Sequence, residues 1–277
     1  MYNVSAFFYI FNKMQHKILN HQKHTIHYYI SKKEAFNKTI LFSHGLTADY
    51  SMFEKQVEYF KDKFNIIMWD MPLHGKSKQC DFISYNDTAD IIYNILTEEN
   101  IKYITLAGMS LGGYPCQFFA SKYPDMTLGF IGIDTTPVGQ KYYSKLDKWL
   151  IKHISFFAKF FPENILKKTM AKSISKTKYA YEKMADIYSH YTKADIIKQM
   201  YMYYKQFIIE NKDISLKCPV ILIAGEQDRT GKVLHYNKKW AKDIKSKLYI
   251  IKNAAHFSNA DNYEEINKII NKFMEKV

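Results

Sequence analysis

Residues 102–113, KYITLAGMSLGG, decide how the rest of the chain is read. Residues 103–107 have the continuous apolar character of a buried strand, and residues 111–121 have the composition of a helix. Between them stands Gly108-Met109-Ser110-Leu111-Gly112, a G-x-S-x-G turn in the strand, turn and helix setting of a nucleophile elbow. Such a turn forces its serine into a strained backbone conformation and tolerates only small neighbours, which accounts for Gly108 and Gly112. The serine hydroxyl then projects above the sheet. The helix that follows aims free N–H groups and a partial positive charge at the same place, where a developing oxyanion is stabilised. A glycine-rich turn with a serine N-cap has the same pentapeptide, so its meaning rests on what else the chain supplies.

Upstream, residues 14–31 read as two strands, KILNHQ and TIHYYIS, of an antiparallel edge pair. Their histidines, His16, His21, His24 and His27, share no helical face and read as surface strand residues rather than a metal site. Residues 39–43 (TILFS) form a short apolar strand that ends at His44-Gly45-Leu46, ahead of a helix over 51–61. The next strand, 65–69, leads into Asp70-Met71-Pro72-Leu73-His74-Gly75-Lys76-Ser77 and a helix over 87–98. This rhythm predicts right-handed crossovers and a parallel sheet.

Downstream, residues 129–133 (GFIGI) make a fourth parallel strand before Asp134. The pattern then changes: residues 138–212 hold no convincing strand and are helical, aromatic and lysine-rich. They read as a cap folded over the strand ends, dividing a core of residues 1–137 and 213–277. Most of its aromatic residues (Phe156, Phe157, Phe160, Phe161, Tyr201, Tyr203, Tyr204) are expected to fill the cap's own core, with a few facing an apolar pocket above Ser110. The sheet resumes at 219–224 and ends at Gly225-Glu226-Gln227-Asp228. A helix over 231–243, a strand over 247–251, His256 and an amphipathic helix over 263–276 follow. A Gly-x-x-Asp after one strand and a lone histidine after the next supply an acid and a base in the order Ser, Asp, His. Glu226 and Asp134 are the competing acids, and Asp228 fits the spacing better.

His44-Gly45-Leu46, Asp70 to Ser77, the elbow, Gly225 to Asp228 and His256 stand together in an order that resembles the α/β-hydrolase fold superfamily, in its cap-bearing esterase and lipase-like branch, over nearly the whole chain. The resemblance implies an α/β fold with a mostly parallel central sheet flanked by helices. It implies Ser110 as nucleophile, His256 as its base, Asp228 as the acid that orients the imidazole, and the N–H groups of Leu46 and Leu111 as oxyanion donors. His44 precedes both serine and acid and reads as a structural hydrogen-bonding residue. Leu73 stands where the family has a glycine, which touches the loop's geometry. A serine at the elbow disfavours epoxide and halide chemistry, which uses aspartate there, and Met109 departs from the tryptophan of the proline aminopeptidase elbow. The expected activity is hydrolysis of a carboxylic ester or thioester of a small to medium apolar acyl group. The same triad also serves carbon–carbon hydrolysis, lactone opening and acyl transfer, and a non-catalytic binding protein can keep the fold. No metal or organic cofactor is implied.

Composition sets the outer limits. At 277 residues and 47% hydrophobic, the chain can bury one large α/β domain with an insertion. The apolar run 4–11 is too short for a membrane span and lacks a basic leader and a cleavage site, so an unexported, cytoplasmic protein is expected. Cys80, Cys116 and Cys218, odd in number and far apart, read as reduced thiols. The formal charge is +13, but every basic residue except Arg229 is a scattered lysine, which reads as a solvated surface rather than a nucleic-acid site. Within 138–212 lysines outnumber acids more than two to one, leaving room for an anionic substrate or a membrane surface that supplies lipid.

Overall fold

Strands that are apolar on both faces have to be covered twice, and the central strands of this chain are of that kind. In the computed structural model, which describes residues 14–81 and 84–277, eight strands form a single sheet. They are β1 (Gln15–His21), β2 (His24–Ser31), β3 (Thr39–Ser43), β4 (Asn65–Trp69), β5 (Ile104–Met109), β6 (Thr127–Ile133), β7 (Val220–Gly225) and β8 (Lys247–Ile251). Their order is β1-β2-β4-β3-β5-β6-β7-β8. The β1–β2 and β2–β4 pairings are antiparallel and all the others parallel. The apolar run 4–11 lies outside the described residues. Among the described residues no helix is long and apolar enough to cross a membrane.

The helices are α1 (Glu54–Phe60), α2 (Tyr85–Glu98), α3 (Gly113–Lys122), α4 (Lys145–Ala158), α5 (Glu163–Ile174), α6 (Lys178–Ser189), α7 (Lys193–Glu210), α8 (Val233–Asp243), the single turn α9 (Ser258–Asp261) and α10 (Tyr263–Met274). Alternation along the strands sorts the core into two layers. Phe42, Met68 and Ile131 pack with Phe60 of α1 and Ile266 and Ile270 of α10. Leu41, Ile67 and Leu106 pack on the other face with Ile91 of α2, Phe119 of α3 and Trp240 of α8. Helices α4 to α7 fall between β6 and β7, and capping boxes start α4 (Ser144 with Asp147) and α7 (Thr192 with Asp195).

Two expectations change. The β1–β2 histidines are not all at the surface, because the hairpin packs on α2: His21 and His24 are buried, and Asn94 of α2 is 2.9 Å from His21 Nδ1. The seven aromatic residues singled out in 138–212 do not mainly fill a core of their own. Of the seven, Tyr203 is buried, whereas Phe156, Phe157, Phe160, Phe161 and Tyr201 are exposed. Helix α4 packs against α7 and buries its small residues Ser155 and Ala158. A close approach through small side chains leaves the bulky neighbours pointing out.

Candidate active site

Strand β5 runs straight into the turn that carries Ser110. The serine has φ +50°, in the left-handed region that costs an L-residue about 1–2 kcal/mol. Neighbouring strands hold it there. Thr135, just past β6, donates from Oγ1 to the Ser110 carbonyl at 2.6 Å. At Gly112 a Cβ would lie 2.2 Å from the Ser43 carbonyl oxygen and 2.3 Å from that of His44, so the end of β3 rests directly on the turn. Gly108 lies against Gly113 in the same way, and Met109 is buried. A Cβ on Gly45 would be 3.5 Å from the Ser110 Cβ, which places the Gly45-Leu46 loop beside the serine. Leu111 sits in the short turn Ser110–Gly112 at the head of α3, where the first N–H groups have no partner inside the helix.

Two buried histidines brace that loop. His44 Nε2 accepts from the Met71 N–H at 3.0 Å, and His74 Nε2 accepts from the Thr47 N–H at 3.0 Å, so the loops after β3 and β4 hold each other reciprocally. Each ring has its Nδ1 against a carbonyl, that of Gly45 for His44 and that of Pro72 for His74. Accepting at Nε2 requires neutral rings, and burial supplies that condition. It pushes His44 down to about 4 against the pull of the Gly45 carbonyl, and holds His74 well below 6.5 with help from His44. Leu73, where the resemblance implies a glycine, takes φ +68°. Burial of its side chain and a 2.7 Å hydrogen bond from Gln199 to its carbonyl keep it in this unfavourable conformation.

The structure brings Ser110, His256 and Asp228 together. His256 Nε2 is 2.8 Å from Ser110 Oγ, and His256 Nδ1 is 2.8 Å from Asp228 Oδ2. A carboxylate oxygen only accepts, so the proton sits on Nδ1 and Nε2 is left to accept from the serine hydroxyl. Asp228 has a fully buried side chain and takes a second hydrogen bond from the Thr230 N–H at 2.7 Å. Glu226 is exposed. Asp134 is buried behind the pair, accepting from the Gly225 N–H at 2.7 Å and from both the N–H and the hydroxyl of Ser258. Burial works against a cation at His256, but the charges of Asp228 and Asp134 outweigh it and raise the pKa above 6.5. Burial and the Asp228 charge push Asp134 itself up to about 7, against the pull of His256, Ser258 and Gly225.

Asp261 carried no sequence signal at all. It accepts from Ala255 N–H at 2.9 Å and from Thr177 N–H at 2.7 Å, tying the histidine loop to the turn between α5 and α6.

A family model of the alpha/beta hydrolase fold matches residues 38–263. This chain belongs to the alpha/beta hydrolase fold family. A 2-(acetamidomethylene)succinate hydrolase of Mesorhizobium japonicum is 33% identical over 99 residues, which are 35% of this chain and 36% of that protein. The chain therefore spans about a third of the length of that relative. The uncharacterized hydrolase YugF of Bacillus subtilis is 25% identical over 225 residues, 75% of this chain and 81% of its own length. A thermophilic esterase from Thermogutta terrifontis has a TM-score of 0.76 over 95% of this chain and 98% of that one, a likeness of fold at 20% identity.

Two measurements check this geometry of an alpha/beta hydrolase site. Gly112→Ala drives a methyl group into two carbonyl oxygens and is expected to cost about 1–3 kcal/mol, read as a lower urea midpoint; an unchanged midpoint would show that β3 does not press on the turn. In a histidine ring NMR titration, His256 is expected to gain its proton above pH 6.5 while His44 stays neutral to about pH 4. Asp134→Asn removes one of the charges that raise His256, so its pKa moves down. The reverse order of protonation, or an upward move, contradicts the arrangement.

Proposed function

We propose that the protein is a serine hydrolase cleaving carboxylic esters, thioesters included, of small to medium apolar acyl groups through an acyl-enzyme. The observation that carries the reading is the pair of 2.8 Å hydrogen bonds from Ser110 through His256 to Asp228 at the foot of an apolar cavity of about 500 Å³. A serine alcohol is a poor nucleophile, so His256 Nε2 takes its proton as Oγ bonds to the ester carbonyl carbon. The carbonyl oxygen becomes an oxyanion held by the N–H groups of Leu46 and Leu111. Losing one such donor typically costs about 2.7–4 kcal/mol of transition-state stabilisation. His256 then passes the proton to the leaving alcohol. Water, deprotonated by the same nitrogen, attacks the acyl-serine, and His256 returns that proton to Ser110 Oγ as the acyl–oxygen bond breaks and the carboxylic acid leaves. Asp228 fixes the tautomer throughout.

Helices α4 to α7 act as a cap in this reading. Leu150, Ile154 and Phe157 of α4 and Tyr204 and Phe207 of α7 line the cavity over Ser110. Its charge balance bears on the substrate. Among the described residues Lys232 is the one lysine or arginine in the lining, and Asp147 takes it at 2.7 Å. Burial works against the charge on Asp147, but hydrogen bonds from Lys232 and Ser144 hold its carboxyl well below the usual range. No uncompensated cation remains to meet a carboxylate such as the succinate in the Mesorhizobium relative's name, and a neutral acyl chain fits better.

The test is hydrolysis of nitrophenyl esters of increasing acyl length. Wild type is expected to turn over butyrate or hexanoate esters at least tenfold faster than the succinate half-ester. Ser110→Ala is expected to lose about 10⁴-fold or more in kcat/KM. Because the base works only when neutral, kcat/KM falls as pH drops through the raised His256 pKa, and Asp134→Asn moves that limb to lower pH. Equal turnover by wild type and Ser110→Ala contradicts the proposal.

A further inference from the structure

Helix α4 is turned the wrong way for a helix in water. It buries Asp147, Ser155 and Ala158 while Trp149 (51% exposed), Phe156 (51%) and Leu150 (46%) stand in solvent, and Phe160 just beyond it is 71% exposed. The exposed rings cluster, with the Phe156 centroid 5.2 Å from that of Phe160 and 5.9 Å from that of Phe157. A contiguous apolar face of this kind marks a place where something docks.

Charge and continuity identify what docks. Phe156 and Tyr201 lie in a groove of about 840 Å³ between α4 and α7 whose charged lining is five lysines, Lys152, Lys159, Lys193, Lys198 and Lys205, with no acid among the described residues. No ion pair within 4.0 Å holds Lys152 or Lys159 among the described residues. Aromatic side chains flanked by lysines suit the boundary of an anionic lipid layer, where rings enter the acyl region and ammonium groups stay with the headgroups. A second copy of this chain would bring lysine against lysine. The apolar face also runs unbroken into the cavity, because Phe157 touches Phe156 on one side and, with Leu150 and Ile154, lines the space over Ser110 on the other.

We propose that this face docks on an anionic bilayer, so that an acyl chain passes from the lipid layer into the cavity without crossing water. The lipid-delivery part rests on the hydrolase reading, and the docking itself does not.

Sedimentation with vesicles of phosphatidylcholine, and with vesicles about a third phosphatidylglycerol, tests it. Wild type is expected to bind the anionic vesicles at least tenfold more tightly, and added salt to weaken that binding. Phe156→Glu with Phe160→Glu, both outside the cavity lining, is expected to lower binding at least tenfold while leaving turnover of soluble nitrophenyl acetate unchanged. Lys152→Gln with Lys159→Gln should lower the preference for anionic vesicles by about tenfold or more. Absent binding, equal binding to both vesicles, binding indifferent to the phenylalanine substitutions, or a solution dimer that those substitutions dissociate each overturns docking. Vesicle binding by a wild type that hydrolyses no ester would leave docking standing and defeat the hydrolase reading alone.

Discussion

The left-handed backbone at Ser110 is the constraint on which the rest of this structure depends. A residue at φ +50° is held only if its surroundings offset a cost of about 1–2 kcal/mol, and here residues at the ends of β3, β6 and β8 converge on it. The carbonyls of Ser43 and His44 close over Gly112, Thr135 grips the Ser110 carbonyl, and His256 reaches the hydroxyl. Each of these residues follows or ends a strand of the parallel sheet. Because parallel strands place their C-terminal ends along one edge, residues far apart in sequence arrive at one place without any long loop having to find another.

The inserted helices are fastened to that edge rather than resting on it. The Tyr191 hydroxyl donates to the Ala48 carbonyl at 2.8 Å and accepts from the Gly75 N–H at 2.7 Å, joining the loops after β3 and β4. Tyr203 donates to the Pro72 carbonyl at 2.7 Å, and the Phe257 N–H, next to His256, donates to the Ile174 carbonyl at 2.7 Å. Helices α5 to α7 therefore touch both the Leu46 loop and the histidine loop.

Much of this was legible in the sequence because it is local. Apolar runs gave the parallel strands, and the glycines of the elbow follow from a turn that leaves no room for side chains. Residues 111–121 read as a helix because their composition is helical, although the chain first makes a tight turn and starts α3 at Gly113. Other features depend on contacts that no local pattern encodes. The Gly-x-x-Asp spacing already points to Asp228, which meets the imidazole, but that Asp134 lies behind the pair holding Ser258 depends on the approach of the histidine loop. The place of Asp261 depends on the α5–α6 turn. The aromatic residues of α4 depart from expectation because hydrophobicity predicts burial, whereas the helix packs against α7 with its small residues Ser155 and Ala158 buried.

The most direct test of the central claim, that His256 and Asp228 activate Ser110, is labelling with a fluorophosphonate followed by mass spectrometry of the peptides. The account predicts one label per chain, on the peptide carrying Ser110, in a reaction that His256→Ala abolishes and that slows as pH falls through the raised His256 pKa. Label on a different serine, or labelling of Ser110 that is indifferent to His256, would contradict it.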